Sequence, residues 1–394
     1  KTWGSPYKIY FYLSQKGFNL LKDNNLLDDN TEEYDGNFRR LGGEGRKDHF
    51  FAVRDAILLS LIEAGKIEAD INETSFREQL LLINPYKNPD PLIIPGDRSS
   101  KEVIPDWIVK IPAPDLYPYL AKILNDDKDQ CLYYEIDNGT ERKESIQGKV
   151  EKYIKLAHIR KHENHHVLFP VIDRSHPDLK YDIDVKDRRV RIKNLKNHII
   201  EVCLKRKPIP NNLSFYVFSI SRTGKIAKKL MYEEYQNKER MKMNFLAAIE
   251  MVRNNNPYYK FEFKELDKEQ VYRADVREED YAELILEFFI RGNKRTVIFK
   301  LMEEGNVQDY DSLEYHNTMM KNDSFRVKVD DIVAVYQTKD ELIKDVLEHG
   351  WKHILFTDMD SIEANAKSDN FLNFFRYQEK IINYDERFEE VEIL

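Results

Sequence analysis

Residues 131–157 read CLYYEIDNGTERKESIQGKVEKYIKLA, and this stretch decides the fold. Cys131 to Ile136 is rich in aromatic and β-branched residues, the composition of a strand, and Asn138-Gly139 supplies a turn to end it. From Glu141 onward the apolar residues Ile146, Val150, Tyr153, Ile154 and Ala157 recur at helical spacing among Lys and Glu. Glu135 and Asp137 lie two apart, so a strand puts both carboxylates on one face. Lys149 and Tyr153 lie four apart and share a face of the helix. Two acids at a strand end, with an amine behind them on the next helix, suit divalent-metal phosphodiester chemistry.

Working outward, His49 to Ala64 carries Val53, Ala56, Ile57 and Leu61 at helical spacing and predicts a buried helix. A Pro-rich loop from Pro85 to Pro95 precedes a short strand, Val103 to Ile111, with Pro105-Asp106 near its start. Beyond the central stretch, His166 to Ile172 predicts a strand, Val190 to Leu204 an amphipathic helix and Leu213 to Ser219 a strand. This order of helices and strands predicts an α/β fold with a mixed central sheet flanked by helices. At the N-terminus, Tyr7 to Leu13 alternates aromatics, and Ser14 is a plausible cap for a short helix. This resembles the wing and last helix of a winged-helix domain, followed by a polar linker from Asp23 to Gly45. Lys1 is not a natural start, so residues are expected before it.

The second half predicts a repeat of the same order, at an offset near 165 residues. Phe245 to Arg253 corresponds to the helix at His49. Arg273-Ala274-Asp275-Val276 falls in the place of Ile104-Pro105-Asp106-Trp107, and Val297 to Leu301 in that of the central strand. Leu313 to Met320, Ile332 to Tyr336, Leu342 to Leu347 and Ile354 to Thr357 continue the series. Lys300 then replaces Glu135 and Met302 replaces Asp137, and neither side chain holds a hard cation. The expected domains are 1–43, a winged-helix remnant and linker; 44–230, the complete α/β unit; and 231–394, a degenerate second copy.

Composition sets bounds. The chain has 394 residues, 41% hydrophobic and 34% charged, with 14 Gly and 14 Pro, which is a globular composition. No apolar run is long enough to span a bilayer, so no membrane association is expected. Two cysteines, Cys131 and Cys203, sit in apolar contexts and are expected as buried thiols in a cytoplasmic protein. The net charge of −8 argues against a protein that coats nucleic acid, but the cations are concentrated. One cluster is Lys186, Arg188, Arg189, Arg191, Lys193, Lys196, Lys205, Arg206 and Lys207, and another is Lys143, Lys149, Lys152, Lys155, Arg160 and Lys161. Such clusters are commonly solvated helix faces; beside a carboxylate site they also suit a phosphate backbone. His162, His165 and His166 lack a fourth ligand nearby in sequence and are expected to be structural or at the surface.

Pro105-Asp106, Glu135-x-Asp137-x-Gly139-Thr140-Glu141, Lys149-x-x-x-Tyr153 and Val167-Leu168-Phe169-Pro170-Val171 together resemble the replication-relaxation family of plasmid and mobile-element proteins. Tyr10 to Gly17 and His49 to Asp55 fit the same pattern in the same order. The resemblance runs from about Gly4 to Thr223. It implies a core similar to PD-(D/E)XK nucleases, duplicated here, and a role in plasmid replication, relaxation or mobilisation. It further implies that Asp106 and Glu135 bind Mg²⁺ or Mn²⁺, with Asp137 and Lys149 completing the catalytic set. The family's nuclease relatives carry Lys where this chain has Asp137, so Lys149 would supply the amine from another backbone position. DNA is the implied partner, contacted by Gln147, Lys152, Tyr153, Arg188, Arg189, Arg191, Lys193 and Lys196. The sequence therefore predicts an Mg²⁺-dependent DNA endonuclease or nickase. The alternatives are a non-catalytic DNA-binding replication or mobilisation protein, or a subunit of a larger DNA-processing or defence complex; a homodimer is compatible with either.

Overall fold

The β-rich runs of the first half assemble around the central stretch. The computed structural model describes residues 44–71, 81–83, 105–111, 128–172, 189–205, 209–233, 237–255, 261–273, 276, 280–290, 292–347, 351, 353–367, 376–380 and 388–392. The expected winged-helix remnant and linker of residues 1–43 and the Pro-rich loop lie outside them. A helix, α1 (Glu44–Ile71), precedes strands β1 (Leu81–Ile83), β2 (Trp107–Ile111), β3 (Asp129–Tyr134), β4 (Glu163–Val171) and β5 (Leu213–Ser219). These strands form a sheet in chain order. Neighbours β1, β2 and β3 are antiparallel, whereas β3, β4 and β5 are parallel. Parallel neighbours need crossovers, which α2 (Lys143–Ile159) and α3 (Arg189–Lys205) provide.

Strand alternation sorts the core. Ile108, Cys131, Tyr133, Val167, Phe169 and Phe215 pack with Ile146, Val150, Leu195 and Ile199 of α2 and α3. Val109, Leu132, Tyr134, Leu168 and Tyr216 pack on the other face, with Ala52 and Ala56 of α1 and Ile226 of α4 (Thr223–Lys228). Helices α1 and α4 approach closely at Gly224, where a Cβ would lie 2.8 Å from the Leu59 carbonyl oxygen. Only glycine permits that contact.

A second sheet comprises β6 (Phe261–Glu265), β7 (Leu284–Ile290), β8 (Asn293–Leu301), β9 (Asp331–Tyr336), β10 (Ile354–Asp358), β11 (Arg376–Lys380) and β12 (Phe388–Glu392). From β6 to β10 it repeats the order and directions of β1 to β5: two antiparallel steps, then two parallel ones. The helices recur as well. In order they are α5 (Asn237–Asn255) before the sheet, α6 (Val307–Lys321) and α7 (Lys339–Lys344) as crossovers, and α8 (Met359–Ala366) after β10. The fold is thus α/β, with two mixed sheets each flanked by helices.

The strand register corrects one expected equivalence. Trp107 pairs with Tyr134 and Leu284 with Phe299, so Glu283 stands in the place of Asp106, while Asp275 lies outside the described residues. A shared hydrogen bond supports this. Ile136 N–H donates to Asp106 Oδ2 at 2.8 Å, and Leu301 N–H donates to Glu283 Oε2 at 3.0 Å. Lys300 and Met302 do replace Glu135 and Asp137. Lys300 Nζ bonds Glu283 at 3.0 Å, and Lys238 of α5 reaches both Glu283 and Asp309. Ammonium groups therefore fill the carboxylate cluster beside the second sheet. The offset is not constant either, because the β2–β3 connection is longer than the β7–β8 hairpin.

One hydrophobic cluster runs through both sheets, joining the α2/α3 face of the first to Tyr310, Leu313 and Ile332 of the second. The β5 edge is covered by the second half. Val217 N–H donates to the Gly305 carbonyl at 2.9 Å, and the Gln308 amide serves Phe215 N and Leu213 O. Gly305 has φ +78°, and a Cβ there would sit 3.2 Å from the Phe218 ring. The positive φ favours glycine, and any side chain there would also have to displace the Phe218 ring by a few tenths of an ångström.

Candidate functional site

The antiparallel pairing of β2 with β3 brings the two acidic motifs together. Asp106 lies one residue before β2 and Glu135 one residue after β3, so they sit side by side, with Asp106 N–H bonded to the Tyr134 carbonyl at 2.9 Å. Cys131, Tyr133 and Glu135 share a strand face, which lies under α2. There Lys149 Nζ bonds Glu135 Oε2 and the Tyr153 hydroxyl donates to Oε1, both at 2.7 Å. Lys149 also holds Glu141 at 2.6 Å. On the other side, His49 Nε2 of α1 meets Asp106 Oδ1 at 2.9 Å.

The electrostatics follow from burial and pairing. Glu135 is only 3% exposed, and its burial pushes the carboxyl up to about 7; Lys149 opposes that rise and Asp106 adds to it. For Lys149, burial disfavours the charge, but Glu135 and Glu141 outweigh it, so its pKa is raised and it is an ammonium at neutral pH. The hydrogen bond from Asp106 raises the His49 pKa above its ordinary value, against burial.

Asp137 does not face this group. Arg191 of α3 grips it with two bonds, 2.8 Å to Oδ2 and 2.7 Å to Oδ1, and also donates to the Glu141 carbonyl. The ion pair ties the end of β3 to the start of α3. Gln147 donates to Glu201 at 3.1 Å. Tyr153 is fully buried, and its hydroxyl is committed to Glu135, which removes it as a surface DNA contact. Lys196 is also fully buried, paired with Asp345 at 3.0 Å and with the Val346 carbonyl at 2.9 Å. It belongs to the junction of the two sheets and not to a basic patch. Lys152, Arg189 and Lys193 are half-exposed, and Arg188 lies outside the described residues.

Sequence reasoning missed two partners, His49 and Glu141. Both stand in stretches that carry the motifs, but only the packing of α1 and α2 against the strand ends shows what they touch. It also treated His165 as lacking co-ligands. The register places a Cys131, Glu163 and His165 group, able to coordinate a metal ion, at the opposite end of β3 and β4. His166, by contrast, is a satisfied core residue, bonded to Ser214 and Gln130, and His162 is exposed.

Residues 4–172 match the replication-relaxation family. No curated protein and no solved structure matches the chain. The replication-relaxation segment contains His49, Asp106, Glu135, Lys149 and Tyr153, and it ends at Ile172. It stops short of Arg191, β5 and the whole second sheet. Among the described residues no helix is long and apolar enough to cross a membrane.

Proposed function

We propose that the protein is a divalent-cation-dependent DNA endonuclease or nickase acting in plasmid or mobile-element replication or relaxation, on a PD-(D/E)XK-like core. One observation carries the reading: Asp106 and Glu135 converge from adjacent strand ends, with Lys149 Nζ 2.7 Å from Glu135. The donor set fits Mg²⁺ or Mn²⁺. It offers two hard carboxylates, and the lysine that neutralises Glu135 already holds a second acid, Glu141, on which it can remain. When bound, the ion supplies Lewis-acid polarisation of a phosphate and a water of lowered pKa.

The chain's own groups have separable tasks. Lys149, held as an ammonium, orients and neutralises and does not accept a proton. Tyr153 fixes the Glu135 rotamer through its hydroxyl. His49 holds one Asp106 oxygen, and Ile136 N–H holds the other. In this reading Lys152, Arg189 and Lys193 on α2 and α3, each half-exposed, contact the phosphate backbone.

Supercoiled plasmid with Mg²⁺ or Mn²⁺ tests this. Nicked or linear product is expected, with Glu135→Ala and Lys149→Ala each lowering the rate by about 100-fold or more. A wild-type protein that leaves the plasmid supercoiled overturns the reading. A second reading, DNA binding without cleavage, is favoured by the lock of Asp137 by Arg191, which leaves no amine at that strand position. It expects salt-sensitive binding that survives Asp106→Ala and weakens when Lys152, Arg189 and Lys193 are replaced by Glu.

A further inference from the structure

We propose that Cys131, Glu163 and His165 form a second metal site, specific for Zn²⁺ or a cation of similar softness, separate from the Asp106–Glu135 pair. The site follows from the register. Cys131 pairs directly with His165 across the parallel β3–β4 ladder, and Glu163 lies two residues before His165, on the same face. One ligand atom from each lies within 4.8 Å of the others, and all three residues are buried. Tetrahedral ligands at zinc distances stand about 3.3–3.8 Å apart, so closure needs only small side-chain rotations.

Two further observations point to a ligand there. Glu163 Oε2 is a buried carboxylate oxygen with no hydrogen-bond partner; the nearest cation, Arg160 NH1, stands 3.6 Å away. Arg160 gives this oxygen a long ion pair and no hydrogen bond, and a bound cation supplies the short contact that Arg160 does not. The second concerns the imidazole. His165 Nε2 lies 3.1 Å from the Arg160 carbonyl, which can only accept, so Nε2 carries the hydrogen. Nδ1 then accepts from the Tyr133 hydroxyl at 3.0 Å, and a cation at this site takes over that lone pair as the hydroxyl turns away. A backbone carbonyl on the far nitrogen is the outer-shell arrangement that orients metal-bound histidines.

The charges balance. Zn²⁺ joins one thiolate and one carboxylate, neutral in sum, and the Cys131 thiol proton leaves to solvent as the S–Zn bond forms. Lys110 keeps Glu163 Oε1 at 3.0 Å and Asp129 at 2.6 Å, which leaves Oε2 as the ligand oxygen. Asp129 and Lys110 beside the cluster are partly exposed. A thiolate and an imidazole select Zn²⁺ over Mg²⁺. Cys131 and Glu135 are four residues apart on one strand face, about 13 Å, so the two sites take different ions independently.

The full chain, stripped with chelator, is titrated with Zn²⁺ against a chromophoric competitor and, separately, with Co²⁺. One equivalent of each is expected, with a thiolate-to-cobalt charge-transfer band. Cys131→Ser abolishes the band and weakens binding by more than the roughly 10–100-fold that an outer-shell loss costs. Glu163→Gln weakens binding but keeps the band, which covers the case in which Cys131→Ser does not fold. Cys203→Ser and Glu135→Ala leave both readouts unchanged, so the result does not depend on whether the plasmid is cut. Absence of stoichiometric binding, absence of the band, or equal competition by Mg²⁺ overturns the site.

Discussion

Glu135 shows how one buried residue sets a pH response. Its native pKa of about 7 lies above the ordinary 4.5, so between those values the native state holds a proton that the unfolded chain has released. Stability contributed there is present below about pH 4.5 and is lost as pH rises to about 7. His166 acts oppositely. Burial lowers its pKa to about 4, so from pH 6.5 down to 4 the unfolded state binds the extra proton and stability falls on acidification. Glu304, also raised to about 7, and His316, also lowered to about 4, repeat the opposition in the second half. The slopes therefore offset one another in the native protein. Glu135→Gln removes one falling limb. Relative to the variant, the wild type is expected to lose about 3 kcal/mol between pH 4.5 and 7. Urea midpoints measured at several pH values check this, and parallel profiles for the two proteins would show that Glu135 is not the group responsible.

At the scale of elements, the strand ends are held by ion pairs that reach across to helices. Arg191 joins α3 to the end of β3 through a bidentate bond to a carboxylate that is 3% exposed. Arg191→Ala leaves that charge unpartnered and is expected to cost about 3–5 kcal/mol. Arg191→Lys recovers little, since an ammonium cannot reproduce the fork. Denaturation midpoints read the cost, and an unchanged salt dependence of DNA binding separates this clamp from a phosphate contact. These elements were largely legible in the sequence. β5 was expected at Leu213 to Ser219 and occupies that span; α3 and β4 differ from expectation by a few residues at their ends. Apolar runs bounded by turns made them so. β1 has three residues and β11 reads RYQEK, so neither has an apolar face to announce it. β7, LILEFFI, was passed over because the repeat was aligned on an Asp that resembled Asp106 in sequence, whereas register, which sequence does not display, selects Glu283. The acid pair and Lys149 were visible for a local reason, since strand and helix periodicity place them. His49 and Cys131 with His165 were not, because each depends on a partner brought up by tertiary pairing.

For the whole molecule, the junction between the sheets decides how the halves behave. Lys196 was counted in sequence with a basic cluster, yet it lies at the centre of that junction. Its ammonium bonds Asp345 and the Val346 carbonyl and stands 5.2 Å from the Tyr310 ring centroid. Asp345 in turn accepts from Tyr336 OH and Gly305 N–H, so one ion pair touches α3, α6, the loop after β8, β9 and the segment after α7. Burying two charges is expensive, and the pair is tolerable because nearly every lone pair and proton has a partner. Lys196→Met removes the cation and leaves a buried carboxylate without its ammonium partner. A loss of about 3–5 kcal/mol is expected, in one cooperative transition because a single apolar cluster spans both sheets. Adding Asp345→Asn to Lys196→Met removes the stranded charge and is expected to recover much of that loss, a coupling that a double-mutant cycle measures directly. If Lys196→Met instead weakened DNA binding at unchanged stability, Lys196 would be acting at the surface. If the loss split into two transitions, the halves would be joined less tightly than their shared core requires.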